Sequence, residues 1–162
     1  MLLVILNYIL NYLGALDQRI WWFFRAASTL HFIGLSLLVG ALLVMDLRAL
    51  GVVRGISHTA LAGLARVAVL GLAINVISGL VMLASKPVEY WHAWPFRYKM
   101  VALAVALLNA AWFTTLGQRR LRALSPEAPL PVSIRASAAL SLAAWLVVIL
   151  LGRAIFEFAS GG

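Results

Sequence analysis

Four stretches of this chain, at about residues 20–45, 59–84, 95–117 and 133–158, run for more than twenty residues with few charges. An α-helix rises 1.5 Å per residue, so a run of about 20 apolar residues is what crosses a hydrocarbon layer about 30 Å thick. Barrel strands would instead alternate over roughly ten residues. Helix-end signals bound the runs. Asp46-Leu47-Arg48 closes the first, and Gly51 and Gly55 mark the turn after it. Lys86-Pro87 closes the second, and Pro95 suits the first turn of the third. Trp21, Trp22, Phe23 and Phe24 place an aromatic belt at the start of the first run. The expected fold class is all-α: an integral membrane four-helix bundle with a short N-terminal interfacial helix.

Composition supports lipid as the solvent. Hydrophobic residues make up 64% of the chain and charged residues 11%, against about 45–50% and about 25% in soluble domains. The 162 residues allow one domain and no separate extramembrane module. Without cysteine, disulfides, thiolate metal sites and covalent c-type haem attachment are excluded. The formal net charge of +8 comes from Lys and Arg scattered at helix ends, where such residues set topology and meet anionic lipid. No basic stripe with interleaved aromatics is present, so nucleic acid is not an expected partner; the lipid bilayer is.

Residues 1–16 form a separate unit in this reading, and residues 17–162 the four-span domain. Residues 1–13 read as a helix of about 20 Å, too short to span, with Asn7 and Asn11 four apart on one face and Asp17-Gln18-Arg19 ending it. The segment lacks a basic start and a small-residue cleavage site, so it is expected to be retained and to lie at the interface or against the bundle. A polar, proline-rich loop with Arg119, Arg120, Arg122, Pro126, Pro129 and Pro131 joins the third and fourth spans. Loops one and three carry Arg48, Arg54, Arg119, Arg120 and Arg122, with Arg66 and Arg135 just inside the adjoining helices. This bias places them in the cytoplasm, with both termini and the second loop outside.

Ionisable groups inside a bilayer are costly and need a partner or a purpose. Here Arg25, His31, Lys99, Arg153 and Glu157 fall in the outer half of the spans, and Glu89, Tyr90, Trp91, His92 and Trp94 add to the same rim. His31 lies deepest, about 16 Å from residue 20 along the helix. It reads either as a neutral histidine bonded to a neighbouring helix or as an axial haem ligand. Lys99 reads as a snorkelling interfacial lysine, a second ligand, or the partner of an anionic group. Arg153 and Glu157, four apart, suit a structural ion pair, with Arg25 an alternative partner for Glu157. Alternatively, the arginines hold haem propionates or another anionic head group. Gly71, Asn75 and Gly79 line one face of the second span, a packing pattern that would also make room for a macrocycle. Asn109, Ser137, Ser141 and Trp145 share that ambiguity, while His58 and His92 read as solvated. No phosphate loop, zinc spacing or paired carboxylates occur, and four spans are too few for the usual inverted-repeat transporter.

The run from His31 to Leu42, ending in Asp46-Leu47-Arg48 and Gly51, resembles the first core helix of small bacterial membrane proteins related to CopD and HemJ. Ile77-Ser78-Gly79-Leu80 resembles their second-helix glycine motif, and Phe96-Arg97-Tyr98-Lys99-Met100 the start of their third helix. The stretch from Trp145 to Arg153 resembles the fourth-helix ending of an uncharacterised branch. The resemblance covers roughly residues 20–158 through short, hydrophobic motifs. It implies a protein of the bacterial inner membrane. HemJ-type proteins are haem b-binding protoporphyrinogen oxidases in which a first-helix histidine and a third-helix lysine are associated with the haem; His31 and Lys99 hold those places. The third helix departs from the HemJ pattern, reading Leu107-Leu108-Asn109-Ala110-Ala111-Trp112 where a histidine is expected. CopD-like proteins handle copper, but this chain has no Met or His cluster to hold it.

Two functional expectations follow. The first is a haem b protein serving electron transfer or porphyrin chemistry at the outer face, an oxidoreductase if it is an enzyme. His31 is then the axial ligand of the haem iron, Lys99 a distal ligand or propionate partner, and Arg153 and Arg25 neutralise propionates. The second is a cofactor-free accessory or scaffold subunit of a larger membrane complex.

Overall fold

The structure, a computed structural model, describes the backbone of residues 2–53, 55–85, 87–117, 119–120 and 130–160. It describes side chains from residue 22 onward within those stretches, apart from residues 58, 156 and 158–160. All regular structure among the described residues is helical: α1 (Leu2–Ala49), α2 (His58–Ser85), α3 (Pro87–His92), α4 (Trp94–Trp112), a π-helical turn (Phe113–Gly117) and α5 (Val132–Ser160). Four segments are long and apolar enough to cross a membrane: Trp22–Ala49, Thr59–Ser85, Trp94–Gly117 and Val132–Ile155. The expected all-α four-helix bundle is therefore observed.

Local chemistry sets the ends. Gly51 adopts a positive φ of 81°. Its N–H bonds to the Arg48 carbonyl and that of Val52 to the Leu47 carbonyl, both at 2.9 Å, the paired bonds of a Schellman cap. Ser57 caps α2 by accepting from the Ala60 N–H at 3.2 Å. Pro95, fully buried in the first turn of α4, supplies the helical φ where no intrahelical N–H bond is lost. At the far end of that helix, the Thr114 and Thr115 hydroxyls bond back to the Ala110 and Ala111 carbonyls at 2.9 and 2.7 Å. Such competition with the backbone ladder accompanies the switch to π geometry.

Two elements differ from the sequence reading. The helix end expected at Asp17–Arg19 is absent, and α1 continues unbroken from Leu2 to Ala49. Ala15, Leu16, Gln18 and Arg19 are good helix formers, and the single Gly14 costs only about 1 kcal/mol. The second loop also contains helix, because Pro87 can open α3. Most of the proline-rich loop, residues 121–129, lies outside the described residues.

The principal packed pairs are α1 with α2, α4 with α5, and α1 with α5. Leu38 and Ala41 of α1, Ala68 of α2, Ala106 of α4, and Ala144, Trp145 and Val148 of α5 form the central cluster. The large apolar side chains mostly face outward: Phe32 is 66% exposed, Val69 67% and Leu108 71%. Lipid is the environment in which such a surface costs nothing, so helix association depends on close packing and interhelical hydrogen bonds. α1 and α2 approach most closely at Gly34 and Gly71. A Cβ on Gly71 would lie 2.6 Å from the Leu38 nitrogen and 2.7 Å from the Gly34 carbonyl oxygen. Asn75 donates to the His31 carbonyl at 2.8 Å. Asn109 and Ser137 bond reciprocally across α4 and α5, Asn109 Nδ2 to the Ser137 carbonyl at 3.0 Å and Ser137 Oγ to Asn109 Oδ1 at 2.9 Å.

A paired substitution tests the crossing. Gly71→Ala meets rigid backbone and should cost about 1–3 kcal/mol, seen as a lower unfolding temperature in detergent. Gly63→Ala, with nothing within 4 Å of the new methyl, should be neutral or stabilising by up to about 1 kcal/mol through helix propensity.

Candidate functional site

His31 of α1 is half-buried against α2. Its Nδ1 lies 3.1 Å from the Ser78 hydroxyl. Ser78 is itself 3% exposed, and its hydroxyl lies 2.6 Å from the Ile74 carbonyl and 3.2 Å from that of Asn75. A hydroxyl has one proton to give. The short contact commits it to the backbone, so the Ser78 oxygen accepts from His31 and Nδ1 carries the imidazole proton. Nε2 then keeps its lone pair. The bond at one ring nitrogen thus decides what the other can do. Asn75 holds the His31 carbonyl, so one turn of α2 fixes both the backbone and the ring. Gly79 leaves room for the ring: a Cβ there would lie 3.3 Å from His31 Cε1.

Lys99 enters from α4 and rests on α5, where a Cβ on Gly152 would lie 3.4 Å from its Nζ. The lysine is half-buried and makes no ion pair or hydrogen bond among the described residues. It is close enough to His31 for the two to interact electrostatically. The fold therefore gathers His31 and Lys99, 68 positions apart by their numbers, in the half of the membrane that carries α3. Each lies beside a glycine of a neighbouring helix.

The other two candidates do not converge on that point. Arg153 is a surface residue whose Nε donates to Glu157 Oε1 at 2.8 Å, with both side chains largely exposed. This is the i, i+4 pair expected from spacing. Arg25 is also exposed, and its carbonyl accepts from the Thr29 hydroxyl. Gly71, Asn75 and Gly79 all serve helix contact. Asn109 and Ser137 serve contact too, and Trp145 joins the central cluster. His92 is exposed, and the His58 side chain lies outside the described residues. No group of three potential His, Cys, Asp or Glu metal ligands occurs among the described residues.

Ser78 was missed by sequence reasoning as a site residue, although it falls three positions after Asn75 and shares the face of Gly71 and Asn75. Gly152 gave no local signal: its role needs α4 and α5 side by side.

Fold and composition define the class: a multi-pass, all-α membrane protein with a part-buried His–Ser pair and a lysine that has no partner among the described residues. Comparison with protein-family models, curated proteins and solved structures finds no match.

The tautomer assignment is open to measurement. Nitrogen NMR of protein with labelled histidine, with the His31 signals identified by their loss in His31→Gln, should show a protonated Nδ1 and a bare Nε2. Ser78→Ala should turn this into a mixture of tautomers. A protonated Nε2 in the wild-type protein would overturn the assignment.

Proposed function

We propose that the protein binds haem b between its helices and serves electron transfer or porphyrin-related redox chemistry near one membrane face. The observation that carries this reading is the pairing of His31 with Ser78. It leaves Nε2 free as a ligand while the bond at Nδ1 orients the ring, the usual arrangement behind a metal-binding histidine. Lys99, with no counter-ion among the described residues, stands close to that ring, which suits a group bearing carboxylates. Gly79 and Gly152 let the imidazole and the lysine pack directly against neighbouring helices. The residues present thus fit the group: His31 would hold its iron and Lys99 a propionate. Arg25 and Arg153 stand at the surface as further candidates for the acidic edge.

When bound, haem supplies a one-electron couple tuned by its axial ligand and by the polarity of its pocket. The chain's own contribution is orientation and exclusion of water. Ser78 and Asn75 hold the imidazole in place, and the apolar helices keep solvent from it. The resemblance to CopD- and HemJ-related proteins supports the same reading. It also favours a bacterial inner membrane location, and the arginine bias of loops one and three favours both chain ends outside.

A second reading, an accessory or scaffold subunit without cofactor, is favoured by the length of α1. Its 48 residues extend about 72 Å, well beyond a bilayer of about 40–45 Å including head groups. A partner subunit would cover the apolar segment preceding Trp22.

The two readings separate on one preparation. Purified in mild detergent, the haem protein should show a Soret band and a reduced-minus-oxidised difference spectrum. His31→Ala should abolish it, and Lys99→Met should weaken haem retention about tenfold, the loss of one charge-assisted contact. A colourless protein bringing down a stoichiometric membrane partner would sink the first reading and favour the second.

A further inference from the structure

The other half of the bundle holds a polar arrangement that the haem reading does not use. Three serines of α5, four residues apart, each meet a polar side chain from elsewhere. Arg120 donates to Ser133 Oγ at 3.1 Å. Ser137 pairs with Asn109. The Ser141 side chain lies beside the carboxyl of Asp46 on α1. Eight residues of helix separate the first serine from the last, about 12 Å of descent from the membrane surface. The ladder stops there. One turn further on, Trp145 is buried in the central apolar cluster.

At the foot of this ladder, Asp46 Oδ2 is wholly enclosed and has no hydrogen-bond partner among the described residues. Nη1 of Arg48 is enclosed and unpartnered in the same way. Buried polar atoms are nearly always paired with protein or ordered water, so two orphans within three residues need an explanation. An acceptor and a donor left open together at the end of a polar path suit water, which can give and take hydrogen bonds.

We infer that Asp46 is a proton-exchanging carboxyl, reached by water along the Arg120–Ser133, Asn109–Ser137 and Ser141 ladder from the membrane face that carries loops one and three. This is independent of haem binding. On its own helix the charged neighbour is Arg48. From α5, Ser141 faces it, while Arg135 is exposed. On α2, Arg66 is exposed and turns its Nε back to the Ala62 carbonyl. The Trp145 layer closes the path towards His31, so exchange is one-sided.

A hydrophobic carbodiimide tests the assignment, because it adds to a carboxyl group only when that group carries a proton. Peptide mass mapping of the full-length protein distinguishes its five acidic residues. Expected is modification of Asp46 that falls as pH rises, is absent in Asp46→Asn, and follows a pH jump rapidly. In Ser141→Ala and Asn109→Leu the response to the jump should slow about tenfold, the equivalent of one lost hydrogen bond. A single cooperative unfolding transition in detergent certifies each variant as folded, and Ser133→Ala replaces one that fails this check. Asp46 left unmodified at every pH while Glu89 or Glu157 reacts would overturn the inference. So would a wild-type response to the pH jump in folded ladder variants.

Discussion

The contact between α1 and α2 at Gly34 and Gly71 is the constraint on which the described site depends. In lipid no hydrophobic force gathers apolar helices, so what joins them is how closely their backbones can approach and which polar groups can then meet. Neither position carries a side chain, so the Gly34 carbonyl sits 2.7 Å from where a Cβ on Gly71 would stand, and the Gly71 carbonyl 2.9 Å from where one on Gly34 would stand. One turn further along, the same closeness lets Asn75 reach the His31 carbonyl, and then Ser78 the His31 ring. Each bond requires the one before it. A bulkier crossing would separate the helices and leave the Asn75 amide and the His31 ring facing hydrocarbon without these interhelical partners.

Much of this fold is visible in the sequence because the bilayer makes only a few demands. The four runs are read from length alone, and Gly51 and Pro95 carry their end signals in their own chemistry. The face formed by Gly71, Asn75 and Gly79 is legible from helical spacing, as is the Arg153–Glu157 pair. The continuity of α1 is less so. Asp17 and Arg19 are punctuation in a membrane topology but ordinary residues in a helix, and periodicity cannot say which role wins. Pairings across distant segments are not legible either. His31 with Lys99, Asp46 with Ser141 and Asn109 with Ser137 depend on which helices become neighbours, and nothing local in the chain encodes that. The arginines illustrate a complementary limit. Arg25 and Arg153 share a membrane level with His31, but level does not fix the face, and both point outward.

α1 and α5 together supply most of the chemistry. α1 carries His31 and, 15 residues and about 22 Å further on, Asp46. α5 carries Gly152 beside Lys99 and Ser141 beside Asp46. Both polar sets are therefore built across the middle of the bundle, while α2 and α4 complete them from the flanks. The placement follows from burial. A helix packed on two sides has interior faces to spare for polar groups, whereas one packed mainly on one side must give most of its circumference to lipid.

Between the two sets lies the layer of Leu38, Ala41, Ala68, Ala106, Ala144, Trp145 and Val148. It contains no side chain able to relay a proton along a hydrogen-bonded path; the Trp145 N–H can only donate. Protons from the arginine-rich end thus have no described route to the imidazole, and those from the other face none to the carboxyl. Electrons and electric fields are not so confined, since both act through a packed apolar layer. A charge arriving at the His31 end alters the electrostatic free energy of a proton held at Asp46, and an apolar medium of low dielectric screens that influence poorly. Two polar sets on shared helices are thus sealed from one another to protons by the apolar layer, and charge is the one influence that can pass between them.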